Sequence, residues 1–298
     1  MTGTHAASDA QAGFGVILGG GGVAGLAWEI GLLAGLDDAG VDLTIADKVI
    51  GTSAGSFAGA VWLQEGGLGA AFTGQVSATV AEVSASVDPE LQQAYGDILE
   101  ESGTDAALAG RLFGELARTA TTITPGSRLQ VVRARLGTEF WPQRLAMTAI
   151  DAETGQLHIL TSGSGLSLLE AAAASGAVAG VWPVVEAGGH TWIDGGMVSA
   201  ANAGLASAFR SAIVIAPIAR YRSGATVWDE VAALPSTTRC FVVVPDEASV
   251  DAIGANPLDP SRRAIAAQAG RVQGRALARS AALASLLAAA EISSTPCR

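Results

Sequence analysis

A serine between two glycines is the most chemically informative part of the sequence. Residues 51–56 read GTSAGS, after a short apolar run and before a stretch of small, apolar residues. In this pattern a strand leads through a sharp turn into a helix, and Gly51 and Gly55 avoid the collisions that larger side chains would cause there. The sequence therefore predicts that Ser53 is an exposed nucleophile.

A second glycine cluster, GGGGVAG at residues 19–25, lies between an expected strand and an expected helix. Attack by a serine on an ester creates a negatively charged oxygen that needs fixed hydrogen-bond donors. Successive glycines let backbone amides approach that oxygen, and the following helix directs its positive end toward the same charge. We expect an oxyanion hole formed by Gly20, Gly21 and Gly22.

The base that would activate Ser53 is the discriminating question. A DGG turn at residues 194–196 offers Asp194 as a direct base. An aspartate has an unperturbed pKa of about 3.9, so its value as a base would lie in its position rather than in its proton affinity. We therefore prefer a Ser53–Asp194 pair and expect the two side chains to lie close together.

Two other bases can be compared with Asp194. A triad in the order Ser, Asp, His is formally satisfied by Ser53, Asp151 and His190, and it stays open at this point. A serine–lysine pair is disfavoured because Lys48 is the single lysine, and Ser56 occupies the position where an SxxK enzyme needs lysine. His158 and His190 are interpreted as structural residues.

The three motifs in this order resemble the patatin-like phospholipase family. The resemblance rests on GGGVAG at 20–25, GTSAG at 51–55 and DGG at 194–196, with supporting stretches at 148–155 and 174–183. It implies that Ser53 is the nucleophile, that Asp194 is the activating aspartate, and that the glycine loop is the oxyanion hole. The motif-supporting glycines are Gly25, Gly51, Gly55, Gly195 and Gly196. The resemblance also implies hydrolysis of acyl lipid esters without a metal or other cofactor.

Two positions depart from the family pattern. Ala24 stands where the family usually has Lys or Arg, and Ala179 stands where it often has proline. The first removes a charge that could meet an anionic lipid, and the second changes a turn in the expected pocket wall. A phospholipid head group is therefore not inferred.

Strands that alternate with helices predict an α/β fold with a mostly parallel sheet sandwiched by helices, a three-layer arrangement like that of the family. We expect strands at 14–18, 144–150, 156–160, 192–193, 211–216 and 240–244, and helices at 25–39 and 166–174. Residues 264–290 are expected to form one long helix or a pair of helices. Residues 66–125 show loose helical spacing and are interpreted as a helical cap over an acyl channel. Residues 1–12 are expected to be a flexible leader, and 13–298 a single domain.

Composition limits the partners. The net charge of −11 disfavours nucleic acid and electrostatic docking on an anionic bilayer, so any transient membrane contact would be apolar. Cys240 and Cys297 support neither a disulfide framework nor a metal site. No signal peptide or spanning segment is visible, which favours a cytoplasmic location, including a peripheral position at a membrane.

The sequence favours a lipid acyl hydrolase that forms an acyl-serine intermediate. A lipid transacylase with the same pair of residues is the nearest alternative. A non-catalytic module is a further alternative. It could bind a nucleotide through Gly20, Gly22 and Gly25, with Asp47 as the ribose-binding acid. It could also be an inactive scaffold that binds lipid.

Overall fold

The computed structural model describes residues 12–64, 67–77 and 82–294. The strands within them are β1 (Ala12–Leu18), β2 (Lys48–Thr52), β3 (Leu145–Asp151), β4 (Leu157–Leu160), β5 (Val185–Ala187), β6 (His190–Asp194), β7 (Phe209–Ile215) and β8 (Arg239–Val243). The helices are α1 (Gly22–Asp38), α2 (Ala54–Trp62), α3 (Gly67–Val76), α4 (Pro89–Ser102), α5 (Ala106–Thr119), α6 (Pro125–Leu136), α7 (Leu168–Ser175), α8 (Val227–Ala232), α9 (Glu247–Ile253), α10 (Arg263–Leu277) and α11 (Ala281–Ser294).

All the described strands join one mixed sheet. β3, β2, β1, β7 and β8 are neighbours in that order and are parallel. β4 and β6 pair antiparallel with β3, and β5 pairs antiparallel with β6. The predicted mostly parallel sheet is confirmed.

The register around β3 brings two strand ends together. Thr148 pairs with Thr52 of β2 on one edge and with Ile159 of β4 on the other. The next residue, Ala149, pairs with β4 and with Asp194 of β6. Because β4 occupies one edge of β3 throughout, β2 and β6 must share the opposite edge. Their carboxyl ends therefore meet head to head, although they lie far apart in the sequence.

Helices cover both faces of the sheet, as β1 illustrates. Val16 and Leu18 belong to the core beneath α1, α2 and α10, whereas Ile17 points to the opposite face, where the 3₁₀ segment Ala203–Ala208 and α8 pack. This alternation is what a strand buried on both faces requires. The three-layer prediction is confirmed, and four tryptophans are buried: Trp28, Trp62, Trp182 and Trp192.

Glycines let α1 and α10 pack almost backbone to backbone. A Cβ atom at Gly31 would lie 2.0 Å from the Ala267 carbonyl oxygen, and one at Gly270 would lie 2.3 Å from the Trp28 carbonyl oxygen. Real side chains cannot approach backbone atoms that closely, so these positions require glycine. The close contact fixes α1, and with it the glycine loop that precedes α1.

The described part of the segment predicted as a cap contains the helices α3, α4 and α5, and its role as a cap stays a prediction. Its first helix, α3, packs against α1 and α10, whereas α4 and α5 form a pair whose core includes Tyr95, Phe113 and Ile193 of β6. The leader prediction falls outside the described residues except for Ala12, which begins β1, and Cys297 also falls outside them. Among the described helices, none is long and apolar enough to cross a membrane.

Candidate active site

Ser53 occupies a strained turn between β2 and α2. Its φ is 50° and its ψ is −113°, a conformation that few residues other than glycine adopt and that costs about 1–3 kcal/mol. A Cβ atom at Gly51 would lie 2.5 Å from the Gly55 carbonyl oxygen, and one at Gly55 would lie 2.2 Å from the Leu18 carbonyl oxygen. The glycines around Ser53 are therefore sterically required, as the sequence indicated.

Ser175, at the end of α7, forms a hydrogen bond with the backbone of this turn. The Ser53 amide donates to the Ser175 hydroxyl oxygen at 2.9 Å, and the hydroxyls of Ser175 and Ser56 share a hydrogen bond of 2.7 Å. Ser56 and Ser175 are fully buried. A strained backbone persists when its surroundings overdetermine it, and these bonds supply that constraint.

Asp194 lies at the end of β6, facing the end of β2, and is only 2% exposed. Its amide donates to the Ala177 carbonyl at 3.0 Å, and its Oδ1 accepts from the Gly196 amide at 2.7 Å. The Ser53 side chain is close enough to act on the carboxyl as a hydrogen-bonding neighbour. Oδ2, however, has no partner with full hydrogen-bond geometry among the described residues. The contact is thus a loose one, as is common for catalytic hydrogen bonds without substrate.

Burial dominates the protonation of Asp194. It raises the pKa to about 6, against the opposing effects of the Ser53 hydroxyl, the Gly196 amide and the positive charge of Arg128. A carboxylate removed from water and given few donors holds its proton more tightly. Asp194 is consequently a stronger base than an ordinary aspartate and still mostly ionised at pH 7.

A chain of polar side chains connects the two strand ends. The Thr148 hydroxyl donates to the Thr52 hydroxyl oxygen at 2.9 Å. The Asn202 amide nitrogen donates to the same Thr52 oxygen at 3.0 Å and to the Gly195 carbonyl at 2.9 Å. Asn202 therefore links the strand that carries Ser53 to the turn that carries Asp194.

The glycine loop differs in one respect from the prediction. The Gly20 amide donates to the Ala200 carbonyl at 2.7 Å, so Gly20 cannot donate to an oxyanion in this structure. The amides of Gly21 and Gly22 have no acceptor among the described residues. The same holds for Ala54, at the start of α2, which the sequence did not single out. The helix α1 thus begins at the cavity that Ser53 lines, and α2 begins directly after Ser53, and each has first amides without an acceptor among the described residues.

The alternative triad is not brought together. His190 begins β6 and Asp194 ends it, which separates their backbones by about 13 Å at about 3.3 Å per residue. His190 Nδ1 lies 2.6 Å from Asp151 Oδ2, so the pair exists, but Ser53 is not part of it. The structural interpretation of His190 agrees with this position.

Lys48, considered for a serine–lysine pair, and Asp47, considered as a ribose-binding acid, lie at the opposite end of β2 from Ser53. Lys48 is the first residue of that strand, and Ser53 follows its last residue. The Asp47 carboxylate accepts from the Phe14 amide at 2.8 Å, which occupies it structurally. Neither residue can contribute to a site at the Ser53 end of the sheet.

Ser53 and Asp194 share a cavity of about 100 Å³. It is lined by the glycine loop and by Val87, Tyr95, Val178, Gly196, Met197, Ala200, Ile218, Tyr221, Arg222, Pro257 and Leu258. The Tyr95 hydroxyl donates to the Ala179 carbonyl and the Tyr221 hydroxyl to the Met197 carbonyl. Burial raises the pKa of both tyrosines, so neither offers a base. In the described part of the chain, no group of His, Cys, Asp and Glu residues is arranged to hold a metal ion.

The departures at Ala24 and Ala179 have structural counterparts. Ala24 is fully buried in the core beneath α1, where a charged side chain would lack water. Ala179 is also fully buried, and its carbonyl oxygen accepts a hydrogen bond from the Tyr95 hydroxyl. The cation that lines the cavity is instead Arg222, which follows β7.

Several residues of the site carry no sequence motif. Ser175 and Asn202 matter because of what they touch across the fold, and Arg128 acts on Asp194 only through its charge. Ser175 did lie in a stretch that resembles the family, which was the one available signal. Asn202 has a φ of 47°, a conformation that asparagine tolerates better than most residues, but sequence alone does not reveal it.

The comparison with family models agrees with the family that the motifs resemble. The family model described as patatin-like phospholipase matches residues 16–207. Among solved structures, VipD from Legionella pneumophila is 13% identical with a TM-score of 0.43, over 90% of this chain and 67% of that one. The type III effector protein ExoU is 15% identical with a TM-score of 0.38, over 92% of this chain and 56% of that one. No curated protein matches significantly. Because the family model spans more than half of the sequence, this chain belongs to the patatin-like phospholipase family of lipid hydrolases.

Proposed function

We propose that this protein is a serine esterase that hydrolyses carboxylic esters of acyl lipids through an acyl-Ser53 intermediate. The observation that carries the proposal is the meeting of two strand ends, which places a buried carboxyl with a raised pKa beside a serine in a strained turn. The described lining of the cavity contains no histidine, so Asp194 is the base available to Ser53.

In the first half of the reaction, the Ser53 oxygen attacks the ester carbonyl carbon while Asp194 takes the hydroxyl proton. The negative oxygen that forms is held by the free amides of Gly21, Gly22 and Ala54, and each such donor is worth about 10²–10³ in rate. Asp194 then returns the proton to the departing alcohol oxygen as the carbon–oxygen bond breaks. Ser53 is left as an acyl ester.

In the second half, Asp194 removes a proton from water as the water oxygen attacks the acyl carbon. Collapse of this intermediate breaks the bond to Ser53, and the proton passes back to the serine oxygen. A pKa of about 6 suits both directions of transfer, since a base works best when its pKa lies near the working pH. No metal or cofactor is needed to balance these steps.

The cap helices support a lipid substrate. Val87 precedes α4, and Tyr95 lies within it; both line the cavity together with the apolar side chains of Val178, Met197, Ile218 and Leu258. We propose that α4 and α5 cover an apolar acyl chain. Deletion of residues 86–120 with an unchanged chain-length preference would count against this role.

Labelling with a fluorophosphonate tests the nucleophile, its activation and its access together. Peptide mapping is expected to place the label on Ser53 in the wild type and to find none in Ser53→Ala. Ser223→Ala, in an exposed loop, serves as the matched serine control. A wild-type protein that resists the label would contradict the proposal. Product analysis with added alcohols or lysolipids then separates hydrolysis from acyl transfer to a non-water acceptor.

A further inference from the structure

The cavity around Ser53 is apolar apart from a few groups. Its tyrosine hydroxyls are committed to backbone carbonyls, and Asp194 is its one carboxyl among the described lining residues. Arg222 is the one cationic side chain among them. Ligand pockets are mostly apolar, and the few polar groups in them fix the orientation of the ligand and provide specificity. The single positive charge in this lining is therefore a candidate for orienting a substrate.

Arg222 lies in the loop between β7 and α8 and is exposed. Its guanidinium carbon stands 4.9 Å from the centre of the Tyr95 ring, and Tyr95 itself is buried on α4. A planar guanidinium stacked on an aromatic face loses rotational freedom but keeps its N–H edges available. The loop therefore presents a partly ordered cation at the entrance to the site.

This charge has no carboxylate partner among the described residues. The ion pairs of the described chain use other arginines, namely Arg133, Arg135, Arg271 and Arg275. Arg220, two residues earlier, donates to the Gly224 carbonyl within the same loop, whereas Arg222 forms no such bond with a described residue. The cation that lowers the pKa of Asp194 is Arg128, on α6. Within the described part of the chain, Arg222 thus has no hydrogen-bond or ion-pair partner, so its N–H groups can bind a group from outside the protein.

Because the net charge of the protein is negative, a contact with Arg222 would matter most for anionic substrates. The chain carries −11, so its overall field repels anions, and an anionic substrate must gain a specific contact where it binds. Arginine matches phosphate and carboxylate with two parallel hydrogen bonds, which a neutral ester cannot reproduce. A cation beside the scissile bond would favour esters that carry a negative group nearby.

We propose that Arg222 determines specificity, by pairing with a phosphodiester or carboxylate group that lies beside the ester bond attacked by Ser53. The role of the serine rests on the proposed function, but the anion contact can be tested without turnover. The position of Arg222 outside the glycine loop also means that the anion would approach from the β7–α8 side of the cavity.

The experiment compares wild type, Arg222→Gln, Arg222→Lys and the control Arg210→Gln, which removes an equal charge from an exposed position on β7. Three soluble substrates share the same butyryl esters: dibutyrylglycerol, its phosphodiester with glycerol, and dibutyrylglycerate. The measured quantity is the ratio of kcat/KM for each anionic ester to that for the neutral one.

In wild type this ratio is expected to exceed one. Arg222→Gln should lower it by about tenfold to a hundredfold, mainly through KM, since hydrogen bonds to charged groups contribute about 1.5–3 kcal/mol. Arg222→Lys should retain part of it, and Arg210→Gln should leave it unchanged. A loss confined to the phosphodiester identifies phosphate as the partner, and a loss confined to the glycerate identifies carboxylate. An unchanged ratio in Arg222→Gln overturns the proposal.

Calorimetric titration of Ser53→Ala, with and without Arg222→Gln, separates this proposal from the catalytic one. Weaker binding of the anionic esters in the double variant supports the Arg222 contact even if the wild type hydrolyses none of the three. Equal binding in both variants overturns the contact, whatever the activity of the wild type.

Discussion

Asp194 and Asp151 end neighbouring strands of one sheet, yet their surroundings give their carboxyls opposite properties. Both are almost fully buried. Asp151 accepts from His190 Nδ1 at 2.6 Å and from the amides of Glu153 and Thr154 at 2.8 and 3.1 Å. Burial alone would raise the pKa of Asp151, but these bonds outweigh it and lower the pKa. Asp194 has one backbone donor and a loose contact to Ser53, and burial raises its pKa to about 6.

The difference supports our proposal that Asp194, rather than the aspartate with a histidine partner, is the base. Three donors satisfy the Asp151 carboxylate, which then closes the turn between β3 and β4 as a structural anion. The Asp194 carboxylate is left under-satisfied beside a hydroxyl, and such a group gains most by taking a proton. In this sheet, the number of donors around each carboxyl separates a structural aspartate from a candidate base.

The largest effect is expected from Asp194→Asn, which is compared with the same exchange at Asp151. Asp194→Asn should lower kcat for a soluble ester by about 10²–10⁴-fold, the usual contribution of a general base. Asp151→Asn and His190→Ala should keep kcat within about threefold, because the Asp151–His190 pair lies outside the cavity. Steady-state kinetics on the folded variants checks this. Loss of activity in His190→Ala would instead support the alternative triad of Ser53, Asp151 and His190.

The same two variants should move stability in opposite directions. The pKa of Asp194 is raised on folding, so the folded state binds the extra proton and stability falls as pH rises from about 4 to about 6. The cost at pH 7 is on the order of 3 kcal/mol, at about 1.4 kcal/mol per pKa unit. Asp194→Asn should therefore be more stable than wild type at pH 7, and the gain should vanish below about pH 4.

Asp151→Asn has the reverse sign. The pKa of Asp151 is lowered on folding, so its contribution to stability is present above the unfolded pKa and is lost as pH falls through the folded one. The variant should lose about 1.5–3 kcal/mol at pH 7, the usual contribution of hydrogen bonds to a charged group. Urea unfolding at pH 4 and 7 measures the change in the free energy of unfolding for both variants. Changes of the same sign at pH 7 would contradict the comparison.

Sequence alone predicted most of the elements that carry Ser53 and Asp194. The strands β1, β3, β4, β6, β7 and β8 follow from apolar runs bounded by turn residues, and the Ser53 turn follows from its glycines. The short strand β5 and the helices α8 and α9 were not predicted, because three to seven residues carry too little periodicity. The longer helix α6 was not predicted either. The single domain over 13–298 and the catalytic roles stay predictions.

The parts of the site that escaped prediction depend on contacts between distant residues. Whether the Gly20 amide is free depends on the Ala200 carbonyl, and the pKa of Asp194 depends on its burial and on the charge of Arg128. Motif spacing carries no information about either. A glycine motif indicates where amides can approach, but only the surrounding fold decides which amides remain available.

Asn202 offers a smaller effect that tests the join between the strand ends. Asn202→Ala removes both bonds that tie Thr52 to Gly195 and is expected to lower kcat by about tenfold to a hundredfold, since small misplacements of reacting groups carry such costs. Asn202→Gly is the matched variant, because glycine accepts the φ of 47° without strain. Similar losses in both assign the effect to the side-chain bonds, whereas wild-type activity in the glycine variant would assign it to the backbone.

The pH profile gives the smallest effect and the most direct reading of Asp194. If this carboxylate is the base, kcat/KM for a neutral ester should level off above pH 7 and fall about tenfold per unit well below about pH 6. The limb should stay in place in Asp151→Asn, whose carboxyl does not reach the cavity. Arg128→Met should move it upward, because the positive charge of Arg128 lowers the pKa of Asp194. A wild-type plateau that extends down to pH 5 would mean that the base has an ordinary pKa, and that burial of Asp194 has no part in its activation.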